Sequence, residues 1–280
     1  MLEKNNIYLG DCYELVKQVA DKSIDLIIID PPYQIEGKPK SEESISKSAS
    51  KITRSINKLN NELFENEITQ GIGEKIFDEF MRIMKVPNIY IWCNKKQIPM
   101  YFNYFVNEKK LNFDVLIWNK PNVMPLYKNQ YLNDVEYCLY FRGPGVCDPK
   151  NYQDAKTVFS TFVNKRDKDA FHHPTIKPIR IIETLIRNSS KENDLVFDCF
   201  LGSGTTAVAS KNLNRQYLGI EINPKWFTIS KNRLEGINAN GQQSFILKWN
   251  IRRKIICLIE KNLMKKYNKN LKILRSSVLT

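Results

Sequence analysis

Apolar residues along the chain fall into short runs separated by stretches with helical spacing. Runs at 7–9, 26–29, 89–92, 115–118, 137–141, 195–197 and 217–220 are rich in β-branched and aromatic residues and bounded by polar ones, which predicts strands. Segments 13–19, 74–84, 96–106, 179–187, 207–213 and 224–234 repeat apolar positions at three- and four-residue intervals, which predicts helices. Pro224 behind Asn223 fits a helix start, because proline in the first turn gives up no hydrogen bond. Strand and helix signals alternate, so the expected architecture is an α/β sheet with helices on both faces. No internal repeat is visible.

Two internal stretches and the tail break the pattern. Residues 34–60 hold six serines and six Lys or Arg against three acids, with few large apolar side chains. That composition fits a solvated insertion, or a basic loop that closes over a polyanion, since it leaves directly from Tyr33. Residues 121–172 interleave cations such as Lys128, Lys150 and Arg166 with Tyr127, Tyr131, Tyr152, Phe159 and Phe162. Cations for phosphate and aromatics for bases suit nucleic acid, although acids including Glu136 and Asp154 leave the segment close to neutral. Residues 245–280 carry ten Lys and Arg against the single acid Glu260, with Ile251, Ile255, Ile259, Leu263 and Tyr267 on one helical stripe. A helix docked on the core, a phosphate- or partner-binding helix and a membrane-surface helix all fit that tail.

The net charge of +13 therefore sits mostly in the tail, and it suits a polyanionic partner. With 280 residues and 42% apolar content, the chain can bury a full α/β core. No apolar run approaches the length of a membrane span, and the first residues lack the apolar core of a signal peptide. The six cysteines form no C-x-x-C pair and read as reduced core residues of a cytoplasmic protein. His172 and His173 have no evident partners, so no metal site is expected.

Chemistry concentrates at two strand ends. Asp30-Pro31-Pro32-Tyr33 follows the apolar run 26–29 and brings a carboxylate, two rigid prolines and an aromatic ring to one point. The prolines fix φ and carry no N–H, so carbonyls are held in set directions. Such a site can accept hydrogen bonds from a planar exocyclic amine while Tyr33 stacks on the ring that bears it; alone, the tetrapeptide also fits an ordinary turn. Downstream, Asp198-Cys199-Phe200-Leu201-Gly202-Ser203-Gly204-Thr205-Thr206 links an apolar run to a helix. Glycine there permits close approach of a ligand to the backbone. Glu221 closes the next strand about twenty residues on, where a nucleotide-binding unit keeps its ribose-hydroxyl acceptor. The third glycine of G-x-G-x-x-G is missing, so a nucleoside cofactor without pyrophosphate fits better than a dinucleotide.

Together these segments resemble the amino-group DNA methyltransferases that use S-adenosylmethionine. Asp30-Pro31-Pro32-Tyr33 stands in their catalytic position and Phe200-x-Gly202-x-Gly204 in their cofactor loop. His173-Pro174-Thr175-Ile176-Lys177-Pro178 and Gly10-Asp11-Cys12 match two further motifs, and catalytic motif before cofactor motif is the circularly permuted β-class order.

The resemblance implies a Rossmann-like methyltransferase fold with a permuted mixed sheet. It divides the chain into a catalytic half at 1–120, a target-recognition segment at 121–172, a cofactor half at 173–244 and the basic tail. It further implies methylation of a flipped-out base in double-stranded DNA, with the D-P-P-Y form pointing to adenine N6 and cytosine N4 as the alternative. A catalytically silent DNA-binding module is the rival from another class. By the same resemblance, Asp11 faces the cofactor's adenine and Glu221 its ribose. Asp198 and Phe200 help shape the pocket, and Thr175, Lys177 and Thr205 lie around the methionine end. A homodimer and a cognate restriction endonuclease are the further partners it suggests.

Overall fold

The computed structural model describes residues 1–34, 41–47, 54, 57, 61, 71–123, 125, 129, 131–162, 171 and 176–238. Among them, eight strands form one sheet in the order β1-β8-β7-β2-β3-β5-β4-β6. These are β1 (Asn6–Leu9), β2 (Leu26–Ile29), β3 (Asn88–Cys93), β4 (Asn112–Asn119), β5 (Val135–Arg142), β6 (Val158–Ser160), β7 (Leu195–Asp198) and β8 (Gln216–Glu221). From β1 to β3 the strands run parallel, whereas β5 is antiparallel to both of its neighbours.

All four residues of β2 are buried, as expected for a parallel strand covered on both faces. Alternation assigns them to two cores. Ile27 and Ile29 join Phe77, Phe80 and Phe105 on one face, and Leu26 and Ile28 join Tyr90, Trp92 and Ile182 on the other. The first face is covered by α3 (Lys75–Ile83), whose Ile76, Phe77, Phe80 and Ile83 are buried at helical spacing. The second is covered by α5 (Ile179–Ser189), which packs beside α6 (Thr205–Asn212). The last described helix is α7 (Pro224–Glu235), capped by the Asn223 side chain on the Lys225 N–H.

Four sequence expectations are revised. The helix expected at 96–106 is a short α4 (Ile98–Phe102) that runs into a π-helical turn (Asn103–Glu108). The helix expected at 13–19 is α1 (Cys12–Leu15) followed by a 3₁₀ turn (Val16–Gln18). Within 121–172, β5 lies inside the sheet between β3 and β4, and β6 adds a strand that three residues were too few to reveal. The 34–60 stretch contains a short α2 (Glu42–Ser46) with Ile45 buried, so this part of it is neither helix-free nor fully solvated. Residues 245–280 and the His173–Thr175 part of the histidine motif lie outside the described residues. No described helix is long and apolar enough to cross a membrane. The described cysteines are free, mostly buried thiols.

A candidate active site at the carboxyl edge of the sheet

The chain leaves β2 toward β3 on one side, while β7, β8 and β1 lie on the other, so β2 and β7 flank the point where strand order reverses. Crevices open there because the connecting loops diverge to opposite faces. A cleft of about 650 Å³ occupies this point, lined by the ends of β1, β2, β7 and β8. It gathers Asp11, the whole Asp30–Tyr33 turn, Lys177, Asp198 through Ser203, Thr205 and Glu221. Among the described residues no three potential ligands cluster as a metal site would require.

The Asp30–Tyr33 turn is pinned from the end of β3. Gln97 donates Nε2–H to the Pro32 carbonyl at 3.1 Å, and Asn94 donates to the Gln34 carbonyl at 2.9 Å. Lys177 is 5% exposed and reaches into the same corner. Its Nζ lies 2.5 Å from Asp30 Oδ2, 3.2 Å from Glu136 Oε2 and 3.3 Å from the Tyr33 hydroxyl. An ammonium has three protons, so these acceptors use them all. Lys177 thus lies on the Asp30 side of the cleft that it shares with the glycine loop. Tyr33 in turn donates to Glu136 Oε2 at 3.3 Å, and Lys120 donates to Glu136 Oε1 at 2.9 Å.

Burial opposes ionisation of Glu136, but Lys177 and Lys120 outweigh it and hold its carboxyl down at about 2. Burial likewise opposes the Lys177 charge, and Asp30 and Glu136 overcome it, raising the ammonium's pKa. Asp30 moves upward: burial raises it, Lys177 pulls it back, and Glu136 adds to the rise. Asp30 Oδ1 is the remaining acceptor of this corner, buried and without a hydrogen-bond partner among the described residues.

At the other end of the cleft the acceptors suit a nucleoside. Asp11 caps α1 by accepting from the Tyr13 N–H at 2.8 Å. The Glu221 carboxylate accepts the Gly202 N–H at 2.6 Å and the Asn223 N–H at 2.9 Å. That leaves lone pairs on both oxygens, and burial pushes its pKa up against the pull of these N–H groups. Asp198 accepts from the Phe200 N–H at 3.0 Å, and burial pushes it up to about 7 despite hydrogen bonds from Thr206 and Phe200.

Gly202 and Gly204 both have positive φ, 54° and 81°. For Gly204 the structure supplies a packing reason: a Cβ there would sit 2.9 Å from Ser230 Cβ on α7. Thr205 Oγ1 accepts from Arg233 at 2.8 Å, and Arg233 also donates to the Ser203 carbonyl at 3.1 Å. Thr175 lies outside the described residues.

Two residues at this site were not singled out from sequence. Glu136 counted only as a charge in a mixed segment, although an acid inside the apolar run of β5 was a usable signal. Arg233 falls inside the helix expected at 224–234 with no signal of its own, yet it is 5% exposed and ties the glycine loop to α7.

Residues 24–232 match the family model for N6/N4 DNA methylases. The chain belongs to that family. Among curated relatives, the Type II methyltransferase M.HinfI of Haemophilus influenzae is 30% identical over 256 residues, covering 84% of this chain and 70% of that one. The Type II methyltransferase M2.LlaDCHI of Lactococcus lactis subsp. cremoris is 28% identical over 250 residues, covering 83% and 90%. Among solved structures, the M1.HpyAVI–SAM complex superimposes with a TM-score of 0.58 at 26% identity, covering 82% of this chain and 99% of that one. The cytosine-N4-specific PvuII DNA methyltransferase reaches the same TM-score at 15% identity over 83% and 87% of the two chains, which shows the shared fold alone. The protein is thus a DNA methyltransferase of Rossmann-like fold, with its D-P-P-Y strand ahead of its glycine loop in the chain.

Proposed function

We propose that this DNA methylase is a Type II, site-specific enzyme of the cytoplasm that methylates adenine N6 in double-stranded DNA with S-adenosylmethionine. The observation that carries the proposal is the corner in which Lys177, Glu136 and Tyr33 satisfy one another and Asp30 Oδ1, among the described residues, is left as a free acceptor. The relatives named as Type II methyltransferases support the class, and the Asp30 form of the tetrapeptide supports adenine. A paired endonuclease of the same target sequence fits that class.

The cleft suits the cofactor: its volume lies within the range of nucleotide-sized pockets. Glu221 has lone pairs left for ribose hydroxyls, Asp11 stands at the end of β1 for an adenine amine, and Phe200 walls the ring. Thr175 and Thr205 belong to the methionine side of this scheme. When bound, S-adenosylmethionine supplies a methyl group on a sulfonium that leaves as a neutral thioether.

The target base must leave the duplex, which costs a few kcal/mol, and Tyr33 offsets part of that cost by stacking on it. Its exocyclic nitrogen is a weak nucleophile because the lone pair is delocalised into the ring. Hydrogen bonds from the amine to Asp30 Oδ1 and the Pro31 carbonyl hold the nitrogen and favour its pyramidal form. Held there, the nitrogen lone pair would take up the methyl group released by the sulfonium, and the Asp30 carboxylate would face the positive charge that arrives on nitrogen. That nitrogen then gives one proton to the Asp30 carboxylate, from which it reaches solvent. Much of the acceleration comes from alignment, since the leaving group is already good.

The test is transfer of labelled methyl from S-adenosylmethionine to unmethylated DNA, followed by nucleoside analysis, with Asp30→Ala beside the wild type. N6-methyladenine that disappears in the variant is expected. N4-methylcytosine would overturn the base assignment, and no transfer alongside tight DNA binding would overturn catalysis itself.

A further inference from the structure

Glu136 does not line the cleft but touches two residues that do, Lys177 and Tyr33. Its position raises a question of charge. A buried ammonium 2.5 Å from Asp30 Oδ2 repels the positive charge that arrives on the base nitrogen during transfer. Alone, such a lysine would cancel the one carboxylate that the amine needs. Glu136 carries the second negative charge, 3.2 Å from the same Nζ, and is itself 21% exposed. Lys120 on the far oxygen completes an alternating chain of two acids and two cations.

We infer that Glu136 is a positioning residue for methyl transfer, one that neutralises Lys177 and so leaves the charge of Asp30 available to the target amine. The inference rests on the reading of Asp30 as the acceptor of that amine. Glu136 also sets the direction of two other groups. It takes one proton of Lys177, which keeps that side chain off the target base, and it accepts the Tyr33 hydroxyl, which fixes the ring that stacks on the base. Among the described residues, charged and titratable groups around Asp30 are Lys177, Glu136, Tyr33, Cys93, Tyr101, Cys138 and Asp198; those around Glu136 are Lys177, Lys120 and Tyr33. Glu136 is one of the groups that push Asp30 upward, so loss of its charge lowers the pH at which Asp30 ionises.

Two substitutions separate charge from shape. Glu136→Gln keeps the size of the side chain and one of its two acceptor oxygens and removes the charge, whereas Glu136→Asp keeps the charge and both acceptors and shortens the reach. Single-turnover methyl transfer is measured with saturating DNA and S-adenosylmethionine across pH, with cofactor affinity measured separately by calorimetry. The Gln variant is expected to slow transfer about 10- to 100-fold, from one uncompensated charge near the reacting nitrogen. Its acid limb moves to lower pH, and its cofactor affinity stays at the wild-type value. The Asp variant is expected to lose less than about fivefold and to keep the wild-type acid limb. An Asp variant as slow as the Gln variant, or a Gln variant at the wild-type rate, overturns the inference. A product of N4-methylcytosine would overturn the base assignment while leaving this comparison intact. Wild-type transfer by Asp30→Asn would overturn the role of Asp30, and the inference with it.

Discussion

Replacing Lys177 with Met tests the catalytic corner through stability, independently of catalysis. Met has nearly the length of the lysine stem, so it fills the 5%-exposed site without a large void. What it removes is the cation between Asp30 and Glu136, whose side chains are 25% and 21% exposed. Breaking a buried pair by deleting one partner costs about 3–5 kcal/mol, because the other charge stays buried. For a chain of this size each kcal/mol lowers Tm by about 2–4 °C, so a loss of about 6–20 °C is expected.

The pH dependence gives the argument its sign. In the wild type, Glu136 is held at about 2, below the 4.5 of an unperturbed group. Its contribution is therefore complete above 4.5 and lost as pH falls toward 2. Without Lys177, Asp30, already raised by burial, loses the cation that pulls it back and moves further above its unfolded value, while Glu136 keeps only Lys120. The variant then binds more protons folded than unfolded, and its stability falls as pH rises through that window. Melting curves at pH 5 and pH 8 are expected to show a gap to the wild type that widens at pH 8. Asp30→Asn combined with Lys177→Met is expected to recover part of the loss. A gap equal at both pH values, or a Tm loss under about 3 °C, would refute the buried-cation account.

Two other substitutions test the cofactor end. Gly204→Ala combines a φ of 81° with a Cβ 2.9 Å from Ser230 Cβ, so a loss of about 2–4 kcal/mol is expected in chemical denaturation. Glu221→Gln keeps one acceptor, sets an amide donor against the other N–H and drops the charge proposed to face the ribose, and a 10- to 100-fold weaker cofactor affinity by calorimetry, about 1.4–3 kcal/mol, is expected. Unchanged affinity would remove Glu221 from the nucleoside site.

Much of the site is legible in sequence because its parts are local. Asp30 follows a strand whose four buried residues announce it, and Pro31 and Pro32 force the turn. Glu221 is legible from its spacing to the glycine loop, and in the structure its carboxylate accepts the Gly202 N–H. What sequence could not show is contact between distant segments. Lys177 lies 147 residues from Asp30, and nothing near it in the chain says which of two sites it enters. Glu136 is hidden for the same reason, since its partners come from β2, from the segment before α5 and from the end of β4. The break in α4 was invisible because a π-helical turn keeps nearly the apolar spacing of an α-helix.

The chain's first strand has a consequence for how the molecule can be divided. β1 lies against β8 on the outer edge of the sheet, with Asn5 bonded to Tyr217 and Gly10 to Glu221 through the main chain. The opening residues are thus on loan to the opposite half, and they carry Asp11 across to its cleft. A fragment beginning near residue 176 would surrender both that acid and the partner of β8, leaving a bare ribbon of donors and acceptors prone to self-association. Split reporters or complementing fragments built from this enzyme should therefore keep residues 1–11 fused to the glycine-loop piece, because the sheet ignores the border that the linear order draws.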